Sequence, residues 1–268
     1  MSGVADLIRP NEPKSTALLN GKVAVVTGAG SGVGRAMADL FSNNGAALLV
    51  VDVVEARVEQ AVKELKTSKA DVEGMTVDLS LRDGPDKMVD YAEKSFGRVD
   101  VLCNNAGIMD GVLPVADTSD AVWEKVMDVN LNAPFRASRR VIPLMLKKGG
   151  GVILNTASVA GSFGGLAGAA YTTSKHGLIG LTRSIAAHYG PQGIRCNAMV
   201  LGGVKTNIGV GSATPDPKSM EHLMKAASLM PRVAEPLEIA ELALFLASSK
   251  SSFVNGSCVV IDGGWTVF

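Results

Sequence analysis

The sequence has little that marks a nucleic-acid-binding or membrane protein. Its 268 residues contain 26 Lys and Arg against 26 Asp and Glu, so the net charge is zero and no basic footprint for nucleic acid or acidic lipid exists. The longest apolar run, AALLVVDVV, is broken by Asp52 and is far too short to span a bilayer. The first twenty residues lack the apolar stretch of a secretory signal. We therefore expect a cytoplasmic protein with neither a nucleic-acid nor a membrane partner.

Metal-ligating residues are also scarce. There are three cysteines and three histidines, without a CxxC pair or the spacing of a metal site. The cysteines lie in apolar, strand-like runs, which indicates buried thiols in a reducing compartment. The sequence predicts no metal site at any of these six residues, Cys103, Cys196, Cys258, His176, His188 and His222.

Short β-branched runs alternate with helical patterns almost to the C-terminus. Runs that are apolar on both faces, separated by segments long enough for a helix, are typical of a parallel sheet covered on both sides. No linker, charge block or repeat divides the chain. The sequence predicts an N-terminal arm over 1–20 and, over 21–268, a single-domain doubly wound α/β fold with roughly seven parallel strands and helices on both faces.

A glycine-rich turn follows the first predicted strand. KVAVV runs directly into TGAGSGVG, residues 27 to 34, and then into an amphipathic helical pattern. Gly28 and Gly32 allow the backbone to turn tightly and approach a pyrophosphate, and Gly34 allows close packing of the helix. The free N–H groups at a helix N-terminus attract phosphate. This context predicts a Rossmann-type dinucleotide site, with a turn that only caps the helix as the alternative.

An acidic residue indicates which dinucleotide is bound. Asp52 ends the second predicted strand, twenty positions after Gly32, where its carboxylate can accept hydrogen bonds from the ribose hydroxyls of the adenosine half. A 2′-phosphate would meet like charge there, and neither Ser31 nor Val53 supplies a cation. We expect NAD to be preferred over NADP by about tenfold or more, or roughly 1.4 kcal/mol.

The stretch AAYTTSKHG, residues 169 to 177, sets Tyr171 four positions before Lys175. In a helix these side chains project from one face, one turn apart. Alone, this spacing favours the simpler interpretation of an aromatic ring packed on a lysine stem. Its significance depends on the other motifs.

Taken in order, the motifs resemble the short-chain dehydrogenase/reductase family. They are TGAGSGVG, NNAG at 104 to 107, Asn130, Ser158, Tyr171 with Lys175, and DGG at 262 to 264, and the resemblance runs from about residue 20 to the C-terminus. It implies an oxidoreductase whose catalytic residues are Ser158, Tyr171, Lys175 and Asn130.

Each catalytic position has an implied role. Tyr171 is the general base in alcohol oxidation and the general acid in ketone reduction, and the Lys175 ammonium lowers its pKa inside a closed cleft. Ser158 stabilises charge on the substrate oxygen, and Asn130 holds a water that links Lys175 to solvent. The alternatives are a cap for Ser158 and a surface amide for Asn130.

The resemblance also implies a cofactor site. Asp78 would meet the adenine amino group, the NNAG turn would support the ribose, and Thr206 would hold the carboxamide. Asp78 and Asn104 could equally be strand-end caps. The implied cofactor residues are Gly28, Ser31, Gly32, Val33, Gly34, Asp52, Asp78, Leu79, Asn105, Ala106, Gly107, Tyr171, Lys175, Gly202, Val204 and Thr206.

One position departs from the family pattern. Leu201 stands where a proline before Gly202 is expected, which predicts a less rigid wall of the nicotinamide pocket. Beyond it, residues 207–230 begin rich in Gly, Pro and Ser and end in a methionine-rich helical pattern, which is typical of a lid over an apolar substrate or of plain core packing. Candidate substrate contacts are Met109, Ser158, Phe163, Leu166 and Gly203, with Ile108 and Val159 beside them.

With no cation in the predicted pocket except Lys175, a neutral, bulky or cyclic apolar secondary alcohol or ketone is the expected substrate. The alternatives are an NAD-responsive regulatory protein that retains the fold, and a sugar-nucleotide epimerase or dehydratase, for which the chain leaves little room. We also expect a homo-oligomer, a tetramer or dimer, in which the C-terminal segment with Trp265 and Phe268 suits a subunit interface.

Overall fold

The computed structural model describes residues 17–67, 71–208 and 216–267. Seven strands and eight α-helices alternate along these ranges. The strands are β1 (Val23–Thr27), β2 (Ala47–Asp52), β3 (Val72–Thr76), β4 (Val101–Asn104), β5 (Gly151–Ser158), β6 (Ile194–Leu201) and β7 (Cys258–Ile261). The helices are α1 (Gly32–Asn43), α2 (Glu55–Lys66), α3 (Gly84–Phe96), α4 (Asp120–Met127), α5 (Ala133–Lys147), α6 (Ala169–Tyr189), α7 (Pro217–Ala227) and α8 (Pro236–Ala247).

The strands form one parallel sheet in the order β3-β2-β1-β4-β5-β6-β7. This confirms the predicted doubly wound fold. The order reverses between β1 and β4, and in such sheets ligands bind outside the carboxyl ends of the strands at that point. Thr27, Asp52, Asn104 and Ser158 are the last residues of their strands, so the sequence motifs meet along one edge.

The core consists of two apolar layers, one on each face of the sheet. Along β2, Leu48 and Val50 face the layer that includes Phe41 of α1, whereas Leu49 and Val51 face the layer that includes Met88 of α3. Successive side chains of a strand point to opposite faces, so an uninterrupted apolar run is what a strand covered on both sides requires.

The predicted N-terminal arm is partly described. Leu19 is 1% exposed and packs in the layer around Phe41, and its N–H donates to the Asn44 carbonyl at 3.0 Å. The ordered part of the domain therefore includes residues 17–20, while 1–16 lie outside the described residues. No helix in the described ranges is long and apolar enough to cross a membrane.

The long helical pattern predicted from Asp120 to Leu146 is divided in the structure. A π-helical turn, Asp128–Asn132, separates α4 from α5, and the Ala133 N–H donates to the Asp128 carbonyl five residues earlier. Pro134 has no N–H to offer the Asn130 carbonyl four residues before it, so a regular α-helix cannot be completed there. The widened turn carries Asn130 into the interior, where it is fully buried.

Candidate active site

One cavity of about 690 Å³ runs along the carboxyl edge of the sheet. Its walls come from the segments that follow β1 to β6, from α7 and from the C-terminal segment. At one end lie the glycine turn and Asp52, and at the other lie Ser158, Tyr171 and Trp265. The cavity therefore joins the predicted dinucleotide site to the predicted catalytic residues.

A positive φ angle and close contacts explain why two positions of the turn are glycine. Gly32 has φ +55°, and a Cβ there would lie 3.1 Å from the Thr206 side chain. A Cβ on Gly34 would lie 2.2 Å from the Gly28 carbonyl oxygen, a distance that no side chain tolerates. Gly34 does not line the cavity. It lets α1 pack against the turn, which leaves the cavity side of the turn open.

Asp52 is held at the adenosine end by backbone groups. Its carboxylate accepts from the Gly30 N–H at 3.0 Å and from the Val54 N–H at 3.1 Å, and the residue is 8% exposed. Arg57 lies alongside, because a Cβ on Gly30 would be 2.6 Å from the Arg57 Cβ and 2.8 Å from an Asp52 carboxylate oxygen. A cation that the sequence analysis did not identify therefore borders the adenosine end of the cavity, away from the predicted substrate pocket.

Asp78 borders the cavity together with a second cation that sequence reasoning missed. Its Oδ1 accepts from the Ser80 N–H and hydroxyl at 2.9 and 2.7 Å, and its Oδ2 accepts from the Lys125 ammonium at 3.2 Å. Burial opposes ionisation of this carboxyl, but the bonds from Ser80 and Lys125 outweigh it and lower its pKa. Lys125 comes from α4, 47 residues away, so no local pattern could reveal it.

The NNAG turn is fixed to the end of β1. The Thr27 hydroxyl oxygen accepts from the N–H groups of Asn105 and Ala106 at 2.9 and 3.0 Å and donates to the Cys103 carbonyl at 3.1 Å. The Asn105 amide donates to the Thr27 carbonyl at 3.0 Å. These bonds join β1 to β4 at the point where the strand order reverses.

Tyr171 and Ser158 meet at the opposite end of the cavity. Tyr171 is buried in the first turn of α6, at 7% exposed, and its phenol lies next to the Ser158 side chain. Burial raises the pKa of Tyr171 to about 12, the neighbouring Ser158 hydroxyl acts in the opposite direction, and the Asp110 charge adds to the rise. The Ser158 oxygen also accepts from the Ala160 N–H at 3.1 Å, which is the capping bond named as the alternative, and its catalytic role stays a prediction.

Lys175 lies one helical turn after Tyr171 and is 2% exposed. Its ammonium donates to the Thr156 carbonyl at 2.8 Å and lies 5.4 Å from the centre of the Tyr171 ring. Burial lowers the pKa of Lys175 to about 8. The side chain therefore carries a positive charge at neutral pH, although its environment opposes that charge.

The Asn130 side chain is fully used by its neighbours. Its Oδ1 accepts from the Ile108 N–H at 2.9 Å, and its amide donates to the Ile108 carbonyl at 3.0 Å and to the Ser174 hydroxyl at 3.2 Å. A Cβ on Gly107 would lie 3.4 Å from the Asn130 Oδ1 and 3.5 Å from the Lys175 ammonium, so the two residues face each other across Gly107. The bonds tie the π-helical turn to the segment after β4.

The substrate end of the cavity is apolar and includes the C-terminal segment. Trp265 is 8% exposed, and its indole N–H donates to the Ala226 carbonyl in α7 at 2.8 Å. The Trp265 side chain is thus buried within its own chain, Phe268 lies outside the described residues, and the place of the C-terminal segment in a subunit interface stays a prediction. The apolar side chains at this end are Leu166, Leu223, Met224, Ala227, Met230 and Trp265.

Comparison with known proteins agrees with this arrangement. A family model described as enoyl-(acyl carrier protein) reductase matches residues 28–266. The 3beta-hydroxysteroid dehydrogenase 2 of Eggerthella lenta is 40% identical over 259 residues, which cover 96% of this chain and 100% of that protein. A short chain dehydrogenase/reductase of Colletotrichum higginsianum is 38% identical over 263 residues, which cover 96% of this chain and 97% of that protein. The chain belongs to the short-chain dehydrogenase/reductase family.

The fold comparison gives the same family. The crystal structure of levodione reductase superposes with a TM-score of 0.83 and 32% sequence identity, covering 93% of this chain and 100% of that one. The chain is therefore an oxidoreductase of the short-chain type. Members of this family typically bind a nicotinamide cofactor.

Most residues that the sequence assigned to the short-chain dehydrogenase/reductase site line the cavity. Gly34, Asn130 and Phe163 are not among the lining residues, and Phe163 is about half exposed on the loop after β5. The assigned residues that line the cavity are Gly28, Ser31, Gly32, Val33, Asp52, Asp78, Leu79, Asn105, Ala106, Gly107, Met109, Ser158, Leu166, Tyr171, Lys175, Gly202, Gly203, Val204 and Thr206.

Leu201, where the family pattern suggested proline, belongs to β6. It is paired in register with Ser158 on one side and Ile261 on the other, and the following Gly202 N–H donates to the Ile261 carbonyl at 3.1 Å. The sheet therefore continues to the cavity wall, and the lower rigidity expected at Leu201 stays a prediction. Within the predicted lid, residues 209–215 lie outside the described residues.

Proposed function

We propose that the chain is an NAD-dependent alcohol dehydrogenase or ketone reductase for neutral, bulky or cyclic apolar secondary alcohols and ketones, with Tyr171 as the general acid and base. The observation that carries this proposal is the buried Tyr171 side chain beside Ser158 and Lys175, in one cavity that also contains the glycine turn and Asp52.

The residues present fit a nicotinamide dinucleotide. The turn from Gly28 to Val33 lines the cavity at the start of α1, where backbone N–H groups attract phosphate. Asn105 to Gly107 would support the ribose, and Thr206 with Val204 would hold the carboxamide. The cofactor supplies hydride acceptance or donation when bound, and the chain supplies orientation and proton handling.

Asp52 supports NAD as the preferred dinucleotide. Two backbone N–H groups fix its carboxylate at the end of β2, where the remaining lone pairs can accept from ribose hydroxyls. A 2′-phosphate would meet this negative charge. Arg57 stands beside Asp52 and reduces the discrimination, because a guanidinium favours phosphate. We therefore place the NAD preference close to tenfold rather than far above it, or about 1.4 kcal/mol.

The Tyr171 phenol takes the hydroxyl proton during alcohol oxidation and returns it during ketone reduction. With a pKa of about 12 in the cofactor-free chain, it is five units above neutrality, equivalent to about 7 kcal/mol. One charge at 4 Å supplies about 4 kcal/mol at an effective dielectric constant of 20. The Lys175 ammonium is the positive charge that this chain supplies near the phenol, and an oxidised nicotinamide ring would add a second in the closed cleft.

Lys175 and Asn130 provide a route for the proton beyond Tyr171. Pro134 leaves the Asn130 backbone carbonyl without an α-helical donor, and Asn130 and Lys175 face each other across Gly107. A water held by that carbonyl would link the Lys175 ammonium to solvent. The fully used Asn130 side chain acts in this scheme by holding the turn in place.

The substrate end of the cavity favours an uncharged, apolar molecule. Its described walls are mainly aliphatic, methionine and indole side chains, while Lys205 and Arg232, which flank the lid, are paired with Glu235 and Glu238. Arg57 and Lys125 lie at the adenosine end. A relative named for hydroxysteroids supports a bulky alcohol as the substrate class.

The test is nicotinamide absorbance while the purified protein is offered a panel of neutral secondary alcohols, with NAD and separately with NADP. We expect reduction of NAD by bulky or cyclic members, little or none with short linear ones, and loss of turnover in Tyr171→Phe with cofactor affinity unchanged. Removal of a general acid or base costs about 10²–10⁴-fold. Turnover by Tyr171→Phe would refute the assignment, and NAD binding without turnover of any member would favour the regulatory alternative.

Cytoplasmic location and assembly into a homodimer or homotetramer stay predictions. Size-exclusion chromatography with light scattering measures the second directly.

A further inference from the structure

The segment after β4 contains a buried acid that the reaction scheme does not use. Asp110 is 0% exposed and Lys175 is 2% exposed, which makes them the two least exposed charged side chains among the described residues. Both adjoin Tyr171, since Asp110 contacts its backbone and Lys175 lies one turn further along α6. A buried charge is expensive unless its hydrogen bonds are satisfied, so the position of Asp110 requires a physical explanation.

The Asp110 carboxylate caps the helix that carries Tyr171. Its Oδ2 accepts from the Tyr171 N–H at 2.8 Å, and its Oδ1 accepts from the N–H groups of Gly168 and Val112 at 3.2 and 3.0 Å. The N-cap residue of α6 is Gly168, which has no side chain to bond the free N–H groups of the first turn. Asp110 supplies that missing cap from 61 residues away in sequence.

The local backbone is shaped to admit this carboxylate. A Cβ on Gly168 would lie 2.5 Å from both Asp110 oxygens, so only glycine permits the approach. Val112 has φ +59°, a conformation rare for a β-branched residue, and its N–H bonds the same carboxylate. A backbone hydrogen bond lies beside this contact, in which the Ala169 N–H donates to the Leu113 carbonyl at 2.9 Å.

We propose that Asp110 is a positioning residue for the reaction, which caps α6 so that Tyr171 faces Ser158 and places a fixed negative charge behind the phenol. The proposal rests on the proposed function of Tyr171. The positive end of a 21-residue helix stabilises the carboxylate, and the carboxylate in turn holds the first turn of that helix.

The charge has a consequence for pH dependence. A negative charge near a phenol disfavours the phenolate, and Asp110 contributes to the raised pKa of Tyr171 together with burial. The elements packed around Tyr171 are the segments 108–110, 158–160 and 166–170, and α4. Besides Asp110, the titratable side chains near Tyr171 are Asp120, Glu124 and Lys125 on α4, Lys175 and His176 on α6, and His222 on α7 beside Gly165. Of these, only Lys175 is buried.

The first experiment compares Asp110→Asn with Asp117→Asn, which removes an equal charge from an exposed position in the same segment. In Asp110→Asn we expect kcat for alcohol oxidation to fall about tenfold and the pH at which kcat/KM is half-maximal to move down by about one unit, because the phenolate is no longer opposed. Asp117→Asn should show neither change. An unshifted profile in Asp110→Asn, whatever its activity, would overturn the charge role.

A second readout does not depend on turnover. Hydrogen exchange of the peptide spanning 168–175 should be at least tenfold faster in Asp110→Asn than in the unmodified chain, and unchanged in Asp117→Asn, because the capping bond to the Tyr171 N–H is weakened. If no alcohol is oxidised by the unmodified chain, the proposed function fails while this measurement still decides whether Asp110 holds the helix.

If Asp110→Asn does not fold, Gly168→Ala tests the same contact with the carboxylate retained. The added methyl group displaces Asp110, so we expect lower kcat, an unshifted pH profile and a cofactor dissociation constant within twofold of the unmodified chain. Full kcat in this variant would refute the positioning role.

Discussion

The two ends of the cavity are built in different ways. At the cofactor end, Asp52, Thr27 and Asn105 are held by hydrogen bonds to backbone groups, and glycines lie where any Cβ would collide with the chain. At the substrate end, α7 contains no buried residue, and Met224 is 62% exposed. Its main polar anchor to the C-terminal segment is the bond between the Trp265 indole and Ala226.

The difference follows from what each end must recognise. A pyrophosphate and a ribose present fixed polar groups, so their site requires donors and acceptors in fixed positions. An apolar substrate is bound through the apolar surface that it buries, and flexible methionine side chains adapt to its shape. Substitutions at the cofactor end should therefore have large, specific effects, and those at the substrate end smaller ones.

The largest expected effect concerns Lys175, the buried cation between the two ends. Its pKa falls from 10.5 to about 8 on burial, so between these pH values the unfolded chain binds more protons than the folded chain and stability rises with pH. The rise amounts to about 3 kcal/mol over the window. Above pH 10 the opposite sign applies to Tyr171, whose raised pKa makes the folded chain retain its proton.

Lys175→Met should remove this rise. Urea unfolding at pH 7, 8, 9 and 10 should show the variant more stable than the unmodified chain at pH 7, with the gap closing toward pH 10. If the unfolding free energies of the two proteins changed with pH in parallel, burial would not be lowering the pKa of Lys175.

Gly34→Ala tests the rigid packing of the cofactor end. The methyl group would lie 2.2 Å from the Gly28 carbonyl, so the free energy of unfolding should fall by about 2–3 kcal/mol and NAD affinity by more than tenfold. Gly180→Ala is the matched control, because it lies on the exposed face of α6 with no atom within 4 Å of the new Cβ. The free energy of unfolding of Gly180→Ala, measured by thermal or urea unfolding, should rise by up to about 1 kcal/mol. Equal effects of the two variants would contradict the comparison.

Asp52→Asn should narrow the cofactor preference by about tenfold, measured as the ratio of kcat/KM with NAD to that with NADP. The negative charge is removed while Arg57 remains, so NADP should gain more than NAD loses. Asp71→Asn changes the same charge at an exposed site and should leave the ratio unchanged. A constant ratio in Asp52→Asn would show that this carboxylate does not select the dinucleotide.

Trp265→Phe should have the smallest effect. It keeps an aromatic ring in the cavity but removes the hydrogen bond to Ala226, which is worth about 1 kcal/mol. We expect KM for a bulky alcohol to rise about fivefold with the NAD dissociation constant unchanged. Phe253→Leu, on a fully exposed side chain, should alter neither constant. An equal loss of NAD affinity in Trp265→Phe would show that the two ends are not independent.

Sequence reasoning succeeded where the signal is local. The alternation of apolar runs and helical patterns predicted the sheet, and the local pattern around Gly28 predicted the strand, glycine turn and helix that the structure has at the sheet edge. It failed where a contact joins distant segments. Arg57 and Lys125 were missed at the adenosine end, and the contact of Trp265 with Ala226 of α7 was not foreseen.

The sequence by itself determined the order of strands and helices, the glycine turn and the placement of Tyr171 and Lys175 on one helical face, because backbone periodicity and steric limits act over a few residues. Only the tertiary structure decided that Asp110 caps α6, that the Asn130 side chain is used up by Ile108 and Ser174, and that burial moves the pKa values of Tyr171 and Lys175 in opposite directions. Burial and long-range hydrogen bonds depend on which segments pack together, and that packing is a property of the whole chain.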